Sequence, residues 1–259
     1  MKKNAILVDI TKCIGCGACQ LACKEKNRLP EGEEQKLSST AYTVIEEKDG
    51  VNVRRLCMHC ESPTCASVCP VGAIQKTSYG PVVYTPDKCI GCRYCMQACP
   101  FQVPRYEWDN STPKMQKCNL CYDRIADGLP PACVEACPTG ASIFGDRDEI
   151  LQEARRRIHE NPDQYVQYIY GESEVGGTSV LYLSSVPFGS LGFKTDISKE
   201  PLPMLTLEAL SKIPSVVFAG GVFLYGVWWI TNRRKEVRKL EERLKAMEDE
   251  EETHQKFKV

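Results

Sequence analysis

Sixteen cysteines, all between Cys13 and Cys137 and gathered into four short runs, constrain this 259-residue chain more than any other feature. The first run is Cys13, Cys16, Cys19 and Cys23, spaced C-x2-C-x2-C-x3-C. The second is Cys57, Cys60, Cys65 and Cys69, with two extra residues in its middle gap. The third, Cys89, Cys92, Cys95 and Cys99, repeats the first spacing. In the fourth, Cys118, Cys121, Cys133 and Cys137, the middle gap grows to eleven residues. Proline follows three runs, at Pro70, Pro100 and Pro138, and Lys24 takes that place after the first. Lys12–Cys23 (KCIGCGACQLAC) recurs as Lys88–Cys99 (KCIGCRYCMQAC), and Cys69–Ile74 (CPVGAI) as Cys137–Ile143 (CPTGASI). Such repeats indicate a duplicated unit.

Three chemistries compete for so many thiols. A disulfide framework belongs to small secreted domains, and Met1–Ile10 offers two lysines but no long apolar leader. Zinc takes four ligands, usually as two separated pairs, which is sparser than four thiols in each short run. The spacing instead matches the run that holds [4Fe–4S] clusters in bacterial two-cluster ferredoxins, present here four times. In such a run three closely spaced cysteines grip three irons of one cubane while the fourth reaches the neighbouring cubane. Four runs of four imply four fully ligated clusters, with no iron left open for substrate. With their thiolates the clusters carry about −2 each, a load that the balance of 33 basic and 34 acidic residues hides. That balance gives no support to nucleic-acid binding.

Several local expectations follow. Gly15, Gly17 and Gly91 are expected to let their loops approach a cluster. The proline after each fourth cysteine is expected in the first turn of a helix opened by that cysteine. Lys24 reads as a solvated lysine, with a cluster-side cation as the alternative, and Arg54, Arg55, Arg93, Arg105, Lys114, Lys117 and Arg124 each read as surface charges that together offset the clusters. His59, inside run two, is a candidate to hydrogen-bond a cluster sulfur rather than a ligand. Tyr94, Tyr106 and Trp108 are candidates to shield clusters from water, with ordinary packing sufficient to account for them.

Met58–Pro70 (MHCESPTCASVCP), Cys89–Pro104 (CIGCRYCMQACPFQVP), Lys117–Cys121 (KCNLC), Ala132–Phe144 (ACVEACPTGASIF) and Gly176–Phe193 (GGTSVLYLSSVPFGSLGF) resemble the four-cluster subunits of molybdopterin-oxidoreductase and hydrogenase complexes. Nearest are the beta subunit of respiratory formate dehydrogenase-N and the ferredoxin-like subunit of periplasm-facing membrane-bound NiFe hydrogenases. The resemblance covers residues 5–231. It implies an α+β fold of two intertwined bacterial-ferredoxin-like halves and four ligand sets. These are Cys13, Cys16, Cys19 with Cys137; Cys118, Cys121, Cys133 with Cys23; Cys57, Cys60, Cys65 with Cys99; and Cys89, Cys92, Cys95 with Cys69. It also implies two partners, a catalytic oxidoreductase subunit and an integral-membrane subunit that meets quinone.

Beyond the runs, Asp146–Glu149 (DRDE) predicts a capped helix to about His159, and Val180–Leu183 a short strand. Ile213–Thr231 (IPSVVFAGGVFLYGVWWIT) carries no charge and would span roughly 28 Å as a helix, the thickness of a bilayer core. Tyr225, Trp228 and Trp229 gather near one end as in an interfacial belt. The expected segments are a cluster domain over 1–145, a helix and partner-contacting extension over 146–212, a transmembrane helix over 213–231 and a charged helical tail over 232–259. Seven lysines and arginines lie in the sixteen residues after Thr231 and two in the sixteen before Ile213, which predicts a cytoplasmic tail and an extracytoplasmic cluster domain. No twin-arginine signal precedes Cys13, so a catalytic partner is expected to carry one for both.

The chain is expected to relay electrons between a catalytic subunit of formate dehydrogenase or NiFe hydrogenase type and a membrane partner, and to do no catalysis itself. None of its three histidines falls in the span, so it holds no haem there. The alternatives are electron input to a molybdopterin terminal reductase and a stand-alone iron–sulfur sensor, which would need a labile cluster and an output domain.

Overall fold

The computed structural model of the chain describes residues 3–256, with side chains through 247; the last residues of the expected tail, 257–259, lie outside the described residues. The fold is α+β, with one compact unit to Met204 and a second unit from Leu205 onward.

The first unit is organised on strand β1 (Asn4–Asp9), whose sequence NAILVD is apolar on both faces. Alternation along a strand sends Ala5 and Leu7 one way and Ile6 and Val8 the other, and both faces are buried. After β1 come helix α1 (Ala18–Asn27), the hairpin of β2 (Val44–Lys48) and β3 (Val51–Arg55), and helix α2 (Thr64–Ser67). A second hairpin pairs β4 (Ile74–Lys76) with β5 (Val82–Tyr84), and α3 (Tyr94–Ala98) follows. Then come β6 (Arg105–Tyr106), β7 (Met115–Gln116), α4 (Tyr122–Ala126), α5 (Ala132–Glu135) and β8 (Ser142–Asp146). Helix α6 (Arg147–Glu160) and strand β9 (Val180–Leu183) complete the unit.

Strand β1 is the centre of a three-stranded sheet, antiparallel to β8 and parallel to β9. Ala5 and Leu7, with Leu181 and Leu183, pack on Ile150, Leu151, Ala154 and Ile158 of α6. Ile6 and Val8 face the opposite core with Val53, Leu56, Leu120, Val180 and Tyr182. The expected strand forms at Val180–Leu183, so the segment after residue 146 shares a sheet with the cysteine-bearing segment. Helix α6 begins where the DRDE motif predicts, the Asp146 carboxylate accepting from the Asp148 N–H.

The prolines after the runs correct an expectation. In runs two, three and four the third cysteine, not the fourth, sits in a helix: Cys65 in α2, Cys95 in α3, Cys133 in α5. Pro70, Pro100 and Pro138 lie in turns beyond those helices. A proline disfavours helical backbone at the residue before it, and that residue is the fourth cysteine; Cys99 is extended, at φ −76° and ψ 113°. Run one has Lys24 instead, so α1 continues through Cys23 to Asn27 and is the longest helix carrying a run.

In the second unit one helix, α7 (Leu202–Lys256), is long and apolar enough to cross a membrane. The apolar segment and the charged segment after it are one continuous helix. The Thr231 hydroxyl donates back to the carbonyls of Val227 and Trp228 at 2.8 and 2.9 Å, so no unpaired polar group interrupts the apolar surface there.

The sheet is tied to α6 through Asp9, which is fully buried. Its carboxylate accepts from Arg157 at 2.8 Å, Tyr165 at 2.9 Å and the Thr11 hydroxyl at 2.6 Å. Asp9→Ala strips four donors, the Thr11 N–H among them, of their carboxylate and leaves Arg157 to Glu153, a loss of about 3 kcal/mol. Chemical denaturation of the cluster-loaded protein is expected to show a clearly lower apparent midpoint; an unchanged midpoint would contradict this role.

Candidate iron–sulfur centres

Antiparallel pairing decides which cysteines meet. In the β1–β8 ladder Val8 faces Ser142. Cys13 lies five residues beyond Val8, and Cys137 five residues before Ser142, so the start of run one and the end of run four leave the sheet side by side. The β4–β5 hairpin repeats the device: Ile74 faces Tyr84, Cys69 lies five residues before Ile74 and Cys89 five beyond Tyr84. Run one is thereby joined to run four, and run two to run three.

Three cavities result. One is lined by Cys13, Cys16, Cys19 and Cys137, with Arg54 and Ser142. A second is lined by Cys57, Cys60, Cys65 and Cys99, with His59 and Lys117. A third is lined by Cys69, Cys89, Cys92 and Cys95, with Tyr84 and Tyr106. They enclose about 360, 310 and 360 Å³ of space free of protein atoms, mouths included. The remaining cysteines also gather. Burial, then Cys133 and Cys121, push the Cys23 thiol up to about 12. Burial, then Cys23, Cys57 and Cys133, push the Cys118 thiol up.

The donor chemistry fits [4Fe–4S] clusters. Among the described residues no three His, Cys, Asp or Glu side chains converge on a single-ion site, whereas zinc at about 2.3 Å from each sulfur would require it. Backbone amides aim at the sulfurs: Ala73 N–H lies 3.2 Å from Cys69 Sγ and Leu120 N–H 3.3 Å from Cys118 Sγ. At Cys137 burial opposes the thiolate, but donors from Ser142, Thr139 and Ala141 outweigh it and hold the thiol below its usual range. Three buried side-chain polar atoms lack a partner within ordinary hydrogen-bond geometry among the described residues: Arg54 Nη2, His59 Nε2 and Tyr84 Oη, the last already beside the Cys89 thiol. Each belongs to a residue lining a different cysteine cavity, and each is a donor. Inorganic sulfides and thiolates are the acceptors they lack.

His59 illustrates the fit. Its Nδ1 accepts from Val82 N–H at 2.8 Å, so in the neutral ring the proton is on Nε2. Burial, then Lys117 and Lys76, hold the imidazole well below its usual range and therefore neutral. It stands as a donor toward the Cys57/Cys60/Cys65/Cys99 cavity.

Three of the charged residues, Lys24, Arg54 and Lys117, depart from expectation, whereas Arg93 is exposed as expected. Lys24 is buried, pairing with Glu34 at 2.5 Å and donating to the Pro30 carbonyl at 2.9 Å. Arg54 and Lys117 are buried too. Arg55 stacks over Phe193 at 4.0 Å and pairs with Glu46 at 3.0 Å, and Arg93 lies over Tyr106 and Trp108. Trp108 and Tyr94 are well exposed, whereas the buried Tyr106 donates to the Gly91 carbonyl at 3.1 Å. The groups that press on Gly15 and Gly91, both at positive φ, are the Asn52 amide and the Tyr106 hydroxyl. A Cβ at Gly17 would meet only the Gln20 amide oxygen, at 4.0 Å, and its counterpart Arg93 adopts the same left-handed backbone. Asp49-Gly50 was the available signal for Arg54: this dipeptide, with both φ positive, makes the hairpin that fixes the β3 register.

A 4Fe-4S dicluster domain matches residues 12–73 and another residues 50–147, together taking in all four runs. Over 233 residues the chain is 38% identical to the hydrogenase-2 operon protein HybA of Escherichia coli O157:H7, covering 72% of this chain and 71% of that one. The chain belongs to the family of 4Fe-4S iron–sulfur subunits. Another member is the nitrate-inducible formate dehydrogenase iron–sulfur subunit of Escherichia coli strain K12, 37% identical over 199 residues, 69% of this chain and 67% of its own. A Nitratidesulfovibrio vulgaris protein is 37% identical over 250 residues, which is 90% of this chain and 68% of its own. Members of this family carry 4Fe-4S clusters and transfer electrons.

Proposed function

We propose that the chain is a four-cluster electron relay within a membrane-bound hydrogenase or formate dehydrogenase complex. The observation that carries this reading is the set of three cavities, each lined by four cysteines of which one comes from a different run. The ligand sets are Cys13, Cys16, Cys19 and Cys137; Cys23, Cys118, Cys121 and Cys133; Cys57, Cys60, Cys65 and Cys99; and Cys69, Cys89, Cys92 and Cys95. When bound, each cluster supplies a one-electron carrier with no open iron.

Electrostatic contact between thiols of different sets supports reading the sets as a row. Cys95 of the last set acts on Cys65 of the third, Cys57 of the third on Cys118 of the second, and Cys133 of the second on Cys19 of the first. Sets arranged in this way would suit a relay between two partners. A catalytic subunit of the kind named in the relatives would meet one end, and a membrane subunit that reacts with quinone would draw on the other. The helix over Ile213–Thr231 would anchor the chain beside that membrane partner.

Ligand crossing gives a direct test. In Cys23→Ser, alkylation of the cluster-loaded protein read by mass spectrometry is expected to expose Cys118, Cys121 and Cys133 while Cys13, Cys16 and Cys19 stay protected. Exposure of Cys13, Cys16 and Cys19 instead would sink the assignment.

Orientation follows from the lysines and arginines after Thr231, which favour the cytoplasmic side and put the cluster unit on the other. Protease added to intact spheroplasts is expected to cut the cluster unit and spare the tail. A protected cluster unit would reverse the orientation.

A further inference from the structure

Arg54 stands out among the buried cations. It is 2% exposed, and among the described residues no carboxylate forms an ion pair with it. Its Nε donates to the Thr43 hydroxyl at 3.2 Å and its Nη1 to the Ser142 hydroxyl at 2.7 Å, both neutral groups. Nη2 has no acceptor among the described residues. Elsewhere Lys24 meets Glu34, Lys76 meets Glu61, Arg55 meets Glu46 and Arg157 meets Asp9. Lys117 also lacks a carboxylate, but its ammonium donates to the carbonyls of Val82 and Cys118.

A guanidinium is never deprotonated in a protein, so Arg54 cannot escape burial by neutralising. An uncompensated buried charge costs several kcal/mol, and a counter-charge must offset that cost. Arg54 lines the Cys13/Cys16/Cys19/Cys137 cavity. Against the cost of its burial, thiols of two sets favour its charge, Cys133 and Cys19 first and Cys118 after them. The anionic groups within its reach are the thiolates of two ligand sets.

We propose that Arg54 is the fixed counter-ion of the Cys13/Cys16/Cys19/Cys137 cluster and its neighbour, donating through Nη2 to cluster sulfur and raising the reduction potential at that end of the relay. The inference rests on the four-cluster reading above. A positive charge held in place favours the more negative, reduced state of a cluster, so its removal lowers the potential. The other two orphaned donors are neutral, an imidazole at the Cys57 set and a phenol at the Cys69 set. They stabilise negative charge on sulfur with a dipole only; Lys117 beside the Cys57 set donates to the Val82 and Cys118 carbonyls and Arg93 beside the Cys69 set is exposed, so Arg54 is set apart as a buried guanidinium with an N–H left over. A purely structural Arg54, bridging Thr43 and Ser142, would leave the potentials alone.

The full-length chain, purified anaerobically with clusters loaded, is followed by EPR during a redox titration, with iron per chain measured in parallel. Arg54→Met is expected to keep its iron and to lower at least one cluster's midpoint so that its oxidised-to-reduced ratio at fixed potential changes tenfold, about 59 mV for one electron. Arg54→Lys, which keeps the charge, is expected to retain most of the wild-type potential. Wild-type protein with arginine labelled by ¹⁵N only at the guanidino nitrogens is expected to show a weak nitrogen coupling to a reduced cluster in pulsed EPR. That readout decides the matter should Arg54→Met lose iron. Full iron with every midpoint unchanged in Arg54→Met, or no ¹⁵N coupling in any reduced cluster, would overturn the inference while leaving the relay reading intact. Absence of [4Fe–4S] signals from the wild-type chain would overturn both.

Discussion

The pairing of antiparallel strands ahead of and behind the cysteine runs is the constraint on which the rest depends. A ladder fixes which residues leave it together, and β1–β8 and β4–β5 each release two cysteine-bearing segments at equal distances from a paired position. The long-range pairing of β1 with β8 is stabilised by burial on both faces, with α6 on one side and the aromatic-rich core of Tyr170, Tyr182, Phe188 and Phe193 on the other. Strand β9 closes the sheet from the far end of the chain, so the segment after residue 146 supports the same ladder. Cysteines more than a hundred residues apart, such as Cys13 and Cys137, are therefore positioned by apolar burial, which is non-directional, and by hydrogen-bond register, which is not.

Charge follows from this placement. Sixteen thiols crowded into one unit would be costly as thiolates in the absence of metal: burial pushes Cys19 and Cys95 up to about 11 and Cys65 up to about 12. Iron binding displaces those protons, so cluster loading and folding are coupled. The protein answers the negative clusters with oriented amides, with neutral donors such as His59 and with two buried cations, Arg54 and Lys117.

Much of this was legible in the sequence, because the chemistry is local. Four ligands within a short run announce the cofactor, the DRDE box sets the start of α6, Val180–Leu183 reads as a strand, and the uncharged stretch from Ile213 marks a helix long enough for a bilayer. What was not legible depends on distant partners. Lys24 is buried because Glu34 and the Pro30 carbonyl reach it, and Arg54 because Thr43 and Ser142 flank it. In β3 the alternation that sends Val53 into the core turns Arg54 to the opposite face, which would ordinarily be solvent and is here a cysteine cavity. The prolines misled for a local reason: Pro70, Pro100 and Pro138 are compatible with a helix start and with the turn after a helix, and the third cysteine's helix decides between them.

Anomalous diffraction at the iron edge, from crystals of the cluster-loaded chain, measures the ligand sets without a mutation. The expected map contains four compact iron groups, with Cys23 bonded to the one held by Cys118, Cys121 and Cys133, and Cys99 to the one held by Cys57, Cys60 and Cys65. Cys23 on the same iron group as Cys13, or fewer than four groups in fully loaded protein, would contradict a relay built by strand pairing.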